Sequence, residues 1–262
     1  MSGYSAAELA TTLEPITREA WPADEVMAWG GWVFRAHHGF TRRANSIWTA
    51  APEPAGWQEV AAEFYGSRGL PVRLQLSDAS PPGLEQRLAE AGYTAEAYTS
   101  VMTATASALA VAAAPASEGG GLGRIKVTLS SRPDSTWLDA YHRLEGFSDA
   151  DRGAVSALVS RVAGSFAMAT DAGVPVAAAM GAVRAGWVGV SGLVTAESHR
   201  GRGIARTLLG ALVQRHAGSA AWLQVVDGND GAARLYGRLV FVRAYGYHYR
   251  TRPIASDQSR PR

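Results

Sequence analysis

A chain of 262 residues, 47% hydrophobic and 18% charged, is long enough for one large domain or two small ones with buried cores. Its 25 basic and 23 acidic residues leave a net charge of +2, too weak a bias for non-specific nucleic-acid binding, so no nucleic-acid partner is expected. The lack of cysteine excludes disulfide frameworks, thiolate metal sites and a Cys nucleophile; with no signal-peptide pattern and no apolar run near ~20 residues, a cytoplasmic protein without membrane contact is expected.

Residues 5–29 carry a helical pattern rich in Trp and acidic side chains, interrupted at Trp21-Pro22. Residues 31–36 and 40–48 read as two strands joined by a tight turn at His37-His38-Gly39. The adjacent histidines have metal-ligand chemistry, but no other ligands cluster beside them in sequence, so a solvated turn and no metal are expected. A helix over 57–67, an alternating strand over 71–76, a short helix ending at Gly92 and a strand over 95–103 follow. The Ala/Gly-rich run 105–123 reads as a linker, dividing the chain into 1–104 and 124–262.

After the linker come a strand at 125–129, helices at 135–144 and 153–162, and paired strands at 165–169 and 176–184 around the turn at 171–175. Val188, Val190, Gly192 and Val194 then alternate as one face of a strand, while Ile204, Leu208 and Leu212 recur at helical spacing. The turn between them holds Gly201 and Gly203 and leaves backbone N–H groups free at the positive end of a helix, which is an anion cradle suited to phosphate. A strand at 221–226, a helix at 230–239 and a strand at 241–250 complete the chain. The helix-strand ending of 233–250 repeats that of 84–103, the mark of an internal duplication, but the first half shows no counterpart of the glycine-rich turn.

Arg200, Gly203 and Ala205, followed by Asn229, Ala232, Leu235, Tyr236 and Phe241, resemble two motifs of the GCN5-related N-acetyltransferase superfamily in the correct order. The likeness spans roughly 125–251 and departs at Val240, where the family has glycine. More loosely, Gly31–Arg35 with Thr41–Ser46 looks like the N-terminal half of actinobacterial tandem acetyltransferases, some described as N-acetylglutamate synthase-like. The resemblance implies tandem α/β (α+β) folds, each a mixed, mostly antiparallel sheet flanked by helices, with a degenerate N-terminal half.

It also implies an enzyme moving an acetyl group from acetyl-CoA to a primary amine of a small molecule, with an amino acid such as glutamate as one candidate acceptor, by direct transfer, as a monomer or homodimer. By the same resemblance Arg200, Gly201, Arg202, Gly203, Ile204 and Ala205 surround the pyrophosphate, and Leu193, Val194 and Thr195 pair with the pantetheine arm. Asn229 binds that arm or caps its helix, and Tyr236 protonates the departing thiolate. Glu145 is the first candidate base, ahead of Glu197 and His142. Arg42 and Arg43 beside Asn45 could hold an acidic acceptor, although a solvated strand edge explains them as well, and the Trp-rich region from Trp21 to Trp57 reads as core. The competing functions are an aminoglycoside acetyltransferase, which needs an acidic cleft, and a catalytically silent acyl-CoA-binding module.

Overall fold

Ser5 opens the first helix, α1 (Ala6–Glu19), with a capping box: its Oγ accepts from the Glu8 N–H at 3.2 Å and its own N–H donates to the Glu8 carboxylate at 2.7 Å. The computed structural model describes residues 5–112 and 123–253. The helical pattern does not run on to residue 29: Glu25–Trp29 is a strand, β1, paired antiparallel with β2 (Trp32–Ala36). The reason is Gly30-Gly31, both left-handed (φ 55° and 88°), which form the two-residue turn that suits the twist of a hairpin. The expected strand over 40–48 shrinks to β3 (Ile47–Trp48) because Asn45 locks the preceding loop. Its Oδ1 accepts from the His37 and Gly39 N–H groups, and its Nδ2 donates to Phe40 O (2.7 Å) and Thr41 O (2.8 Å).

The remaining elements match the expected order: α2 (Trp57–Gly66), β4 (Val72–Ser77), α3 (Leu84–Glu90), β5 (Thr94–Ala104), α4 (Ala106–Ala112), β6 (Ile125–Ser130), α5 (Ser135–Glu145), α6 (Arg152–Ser160), β7 (Gly164–Asp171), β8 (Val174–Arg184), β9 (Trp187–Thr195), α7 (Ile204–Arg215), β10 (Ala220–Val226), α8 (Asp230–Arg238) and β11 (Val242–Arg252). Helix α4 corrects the linker reading for its own length. Thr105 Oγ1 caps it by accepting from the Ala108 N–H at 3.2 Å, and Leu109 is buried in a core. Residues 113–122 of that stretch lie outside the described residues.

Two units form, Ser2–Ser100 with Ala244–Arg262, and Val101–Arg243. The division falls at Ser100 instead of in the Ala/Gly-rich run, and β11 joins the N-terminal unit. In that unit the strand order is β1-β2-β3-β4-β11-β5. Pairs β1/β2, β2/β3 and β4/β11 are antiparallel and β3/β4 is parallel. Trp32, Phe34, Trp57, Tyr65, Leu74, Leu84 and Leu88 make its core, so the tryptophans of this region are mostly packing. Glu14 is buried there, accepting from Trp48 Nε1 and Gln75 Nε2 at 2.8 Å each, and burial pushes its carboxyl up to about 7.

In the C-terminal unit the order is β10-β9-β8-β7-β6, antiparallel except for the parallel pair β9/β10. Period-two alternation sends Ala167 and Ala169 of β7 into the core under α7 while Phe166 meets Trp137 of α5, so the sheet is covered by helices on both faces. The series β9-α7-β10-α8-β11 repeats β3-α2-β4-α3-β5, down to a left-handed glycine N-cap on each first helix, Gly203 and Gly56. The first half therefore shares the left-handed N-cap but not the second left-handed glycine, since Pro54 stands two residues before Gly56 where Gly201 stands before Gly203. No helix among the described residues is long and apolar enough to cross a membrane.

Candidate active site

The site is built where β9 and β10 part. Their pairing runs from Trp187↔Ala220 to Val190↔Leu223, although β9 continues to Thr195 and β10 to Val226. On its other edge β9 stays with β8, through Val194↔Ala178 and Thr195↔Ala177. Between these points three steps of β9 (Ser191 to Val194) face two of β8 (Met180 to Ala178), so β9 carries a bulge. Gly192 takes it, left-handed at φ 57°; a Cβ there would lie 2.7 Å from the Tyr141 ring and 2.9 Å from Met180 Cε. The bulge turns β9 off β10 and leaves the backbone edge of Leu193, Val194 and Thr195 available for pairing. Two side-chain oxygens beside the opening, Thr195 Oγ1 and Gln224 Oε1, are buried and find no hydrogen-bond partner among the described residues.

A 3-10 turn at Glu197–His199 leads from β9 to the cradle. The first bond of α7 is Thr207 N–H to Gly203 O at 3.1 Å, and among the described residues the N–H groups of Gly201 through Ala205 find no acceptor. Gly201 (φ 76°) and Gly203 (φ 82°) are left-handed, with open space where a Cβ would stand. Arg200 Nε donates to Thr195 O at 3.3 Å, and Arg202 Nη1 lies 4.0 Å from Asp171, whose carboxylate also meets His199 Nε2 at 3.2 Å. Charge and geometry at this loop fit the pyrophosphate of a CoA thioester.

Asn229 caps α8, its Oδ1 accepting from the Ala232 N–H at 3.1 Å. Tyr236 is buried on α8 with its ring 6.0 Å from Phe241; burial first, and then the charge of Glu145, push its phenol up to about 12. Glu145 does not follow α5 but is its last residue, stopped by the left-handed Gly146. Its carboxylate is open to solvent, yet surrounded by enough protein for desolvation to raise it above the ordinary carboxylate range.

Of the other candidates, His142 is buried with its Nε2 2.9 Å from Ser148 O, and Glu197 lies exposed on the 3-10 turn before the cradle. Arg42 is tied to Glu96 at 2.7 Å and Arg43 lies 4.5 Å over the Trp21 ring, so neither is held ready for an acidic acceptor. Gly192 and its neighbour Tyr141 escaped sequence reasoning; the available signal was a glycine inside a strand pattern.

A parallel pair splayed beside an uncapped helix N-terminus is the architecture of GCN5-related N-acetyltransferases. Residues 9–251 match the family described as "Probable histone acetyltransferase Rv0428c C-terminal", and the chain belongs to that family. It is 33% identical over 244 residues to the uncharacterized N-acetyltransferase YobR of Bacillus subtilis (strain 168), across 91% of this chain and 96% of that one. It shares its fold with a GCN5-related N-acetyltransferase from Kribbella flavida (TM-score 0.68, 21% identity, 98% of each chain). It shares it too with a tandem GNAT protein from the clavulanic acid biosynthesis pathway (TM-score 0.58, 13% identity, 75% of this chain and 68% of that one). The chain is an N-acetyltransferase of the GCN5-related type.

Proposed function

We propose that this enzyme transfers the acetyl group of acetyl-CoA directly to a primary amine of a small molecule, with an amino acid such as glutamate as acceptor. The observation that carries this reading is the opening of β9 from β10 beside the free N–H groups of Gly201–Ala205. The cradle holds the pyrophosphate, and the edge of Leu193–Thr195 pairs with the amides of the pantetheine arm as an added strand. The thioester carbonyl then lies near the bulge at Gly192. Glu145 takes a proton from the acceptor ammonium, directly or through water, and the freed amine attacks the carbonyl. As the tetrahedral intermediate collapses, the C–S bond breaks, Tyr236 gives its proton to the thiolate, and the second proton on the newly bonded nitrogen passes through water to the tyrosinate, leaving the neutral amide. A phenol held at about 12 stays protonated until that moment. We place the reaction in the cytoplasm, in a monomer or homodimer.

The description of the family as a probable histone acetyltransferase supports a second acceptor, the lysine amine of a protein. Mixing the protein with acetyl-CoA and amino acids, polyamines, aminoglycosides or a lysine-rich peptide, and following free CoA, distinguishes these. We expect release with an amino acid; measurable acetyl-CoA binding without release for any amine sinks the reading. Tyr236→Phe should lower kcat by roughly 10²-fold or more with little change in acetyl-CoA affinity. An unchanged kcat where chemistry limits turnover removes its role as acid. Glu145 works as a base only when ionised, and burial raises its carboxyl, so the acid limb of the kcat/KM profile should lie above the ordinary carboxylate range and vanish in Glu145→Gln.

A further inference from the structure

The chain has six histidines, and four are engaged away from any cluster of ligands. His142 meets Ser148 O, His216 meets Ser165 Oγ, His199 meets Asp171, and His248 meets Glu85 while stacking on Tyr98. His37 and His38 differ. His37 Nδ1 is 2.6 Å and His38 Nε2 2.9 Å from the same oxygen of Asp24, and the three ligand atoms lie within 4.8 Å of one another. Among the described residues no other such group of three forms.

The geometry is held from several sides. The His37 side chain is fully buried, its ring against Phe40, and its backbone is gripped by Asn45. Consecutive residues of a strand point to opposite faces, so two adjacent imidazoles reach one carboxylate only if the backbone reverses between them. His38 supplies the reversal, left-handed at φ 48°. Asp24 precedes β1 and His37 follows β2, one step beyond the pair Glu25↔Ala36, so the three residues stand at the open end of a hairpin.

We propose that Asp24, His37 and His38 bind one divalent transition-metal ion, zinc or a close neighbour such as cobalt or nickel, as a clip on the open end of the β1–β2 hairpin. Two imidazole nitrogens and one carboxylate oxygen select these ions over magnesium or calcium, which take oxygen ligands. Bonds of ~2.0–2.2 Å about a tetrahedral ion need ligand atoms about 3.3–3.6 Å apart. The two Asp24 spacings of 2.6 and 2.9 Å therefore widen by roughly 0.4–1 Å, while all three atoms already lie within 4.8 Å of one another. The remaining coordination position goes to water. His38 and Asp24 are partly exposed, which gives the ion a path in.

The test uses the full chain without an affinity tag, stripped with a chelator and titrated with ZnCl2 by calorimetry and with CoCl2 by visible absorption at pH 7.5. One ion per chain is expected, with a zinc-dependent rise in Tm. Protons compete with the ion for its ligand atoms, so affinity should fall at least tenfold between pH 7.5 and pH 5.5. Asp24→Asn and His38→Gly should each lose the site; glycine suits the backbone at φ 48°, and circular dichroism confirms that both variants fold. No stoichiometric binding by the parent, or binding undiminished in both variants, overturns the proposal.

Discussion

Val240 shows how much a single residue can report. The family motif has glycine there, and the sequence could flag the departure without showing whether the backbone or the residue gives way. The backbone does not: Val240 holds φ 62°, the conformation that Gly92 takes at φ 82° in the first half. Each lets the next residue close its helix, through Phe241 N–H to Tyr236 O at 3.1 Å and Tyr93 N–H to Leu88 O at 2.9 Å. A left-handed L-residue costs about 1–2 kcal/mol, and branching at Cβ aggravates it. Val240 is 40% exposed, so glycine forfeits little packing. Val240→Gly should therefore stabilise by roughly 1 kcal/mol, read as a rise of about 2–4 °C in Tm; a fall in Tm contradicts the strain argument. The same alignment puts Leu88 where Tyr236 stands, so the first half lacks the phenol.

Elements were legible in proportion to how local their causes are. Helices α2, α3, α7 and α8 were visible because apolar spacing and end signals lie inside them. Strand β1 was missed because helical spacing was extended across Trp21-Pro22 and the Gly30-Gly31 turn was overlooked. The glycine turn before α7 and the Asn229-capped helix that carries Tyr236 could be read from sequence, since each rests on neighbours along the chain. The bulge of β9 could not: alternation places Gly192 on a face with Val190 and Val194, whereas the extra residue against β8 breaks that face and creates the cleft. Tyr141, from another element, supplies the wall that a side chain at 192 would strike. Gly192→Ala should destabilise by about 1–3 kcal/mol, from strain and overpacking together, and raise the KM for acetyl-CoA. Urea denaturation and initial rates check both; unaltered values in each would mean that the bulge does not shape the cleft.

At the scale of the whole molecule, composition invited a cut at the Ala/Gly-rich run, and no local pattern could correct it, because the alternation of β11 reads the same whichever sheet receives it. The structure gives β11 to the N-terminal unit. There it pairs with β4 from Tyr247↔Ser77 to Arg252↔Val72. Tyr245, Tyr247 and Tyr249 are buried. Arg250 donates to Glu85 at 3.1 Å and to Tyr93 O at 2.8 Å, and Thr94 Oγ1 donates to Thr251 O at 3.3 Å. A fragment ending at residue 104 has the sequence of a complete half but leaves the edge of β4 without this strand. Three aromatic side chains worth roughly 1.5–3 kcal/mol each are then missing, comparable with the whole stability of a small domain. We expect fragment 1–104 to be unfolded or aggregated by circular dichroism and sedimentation. The same fragment with residues 242–253 appended through a flexible Gly/Ser linker should unfold cooperatively. If 1–104 alone folds with a sharp thermal transition, β11 is an accessory to that unit and not one of its structural strands.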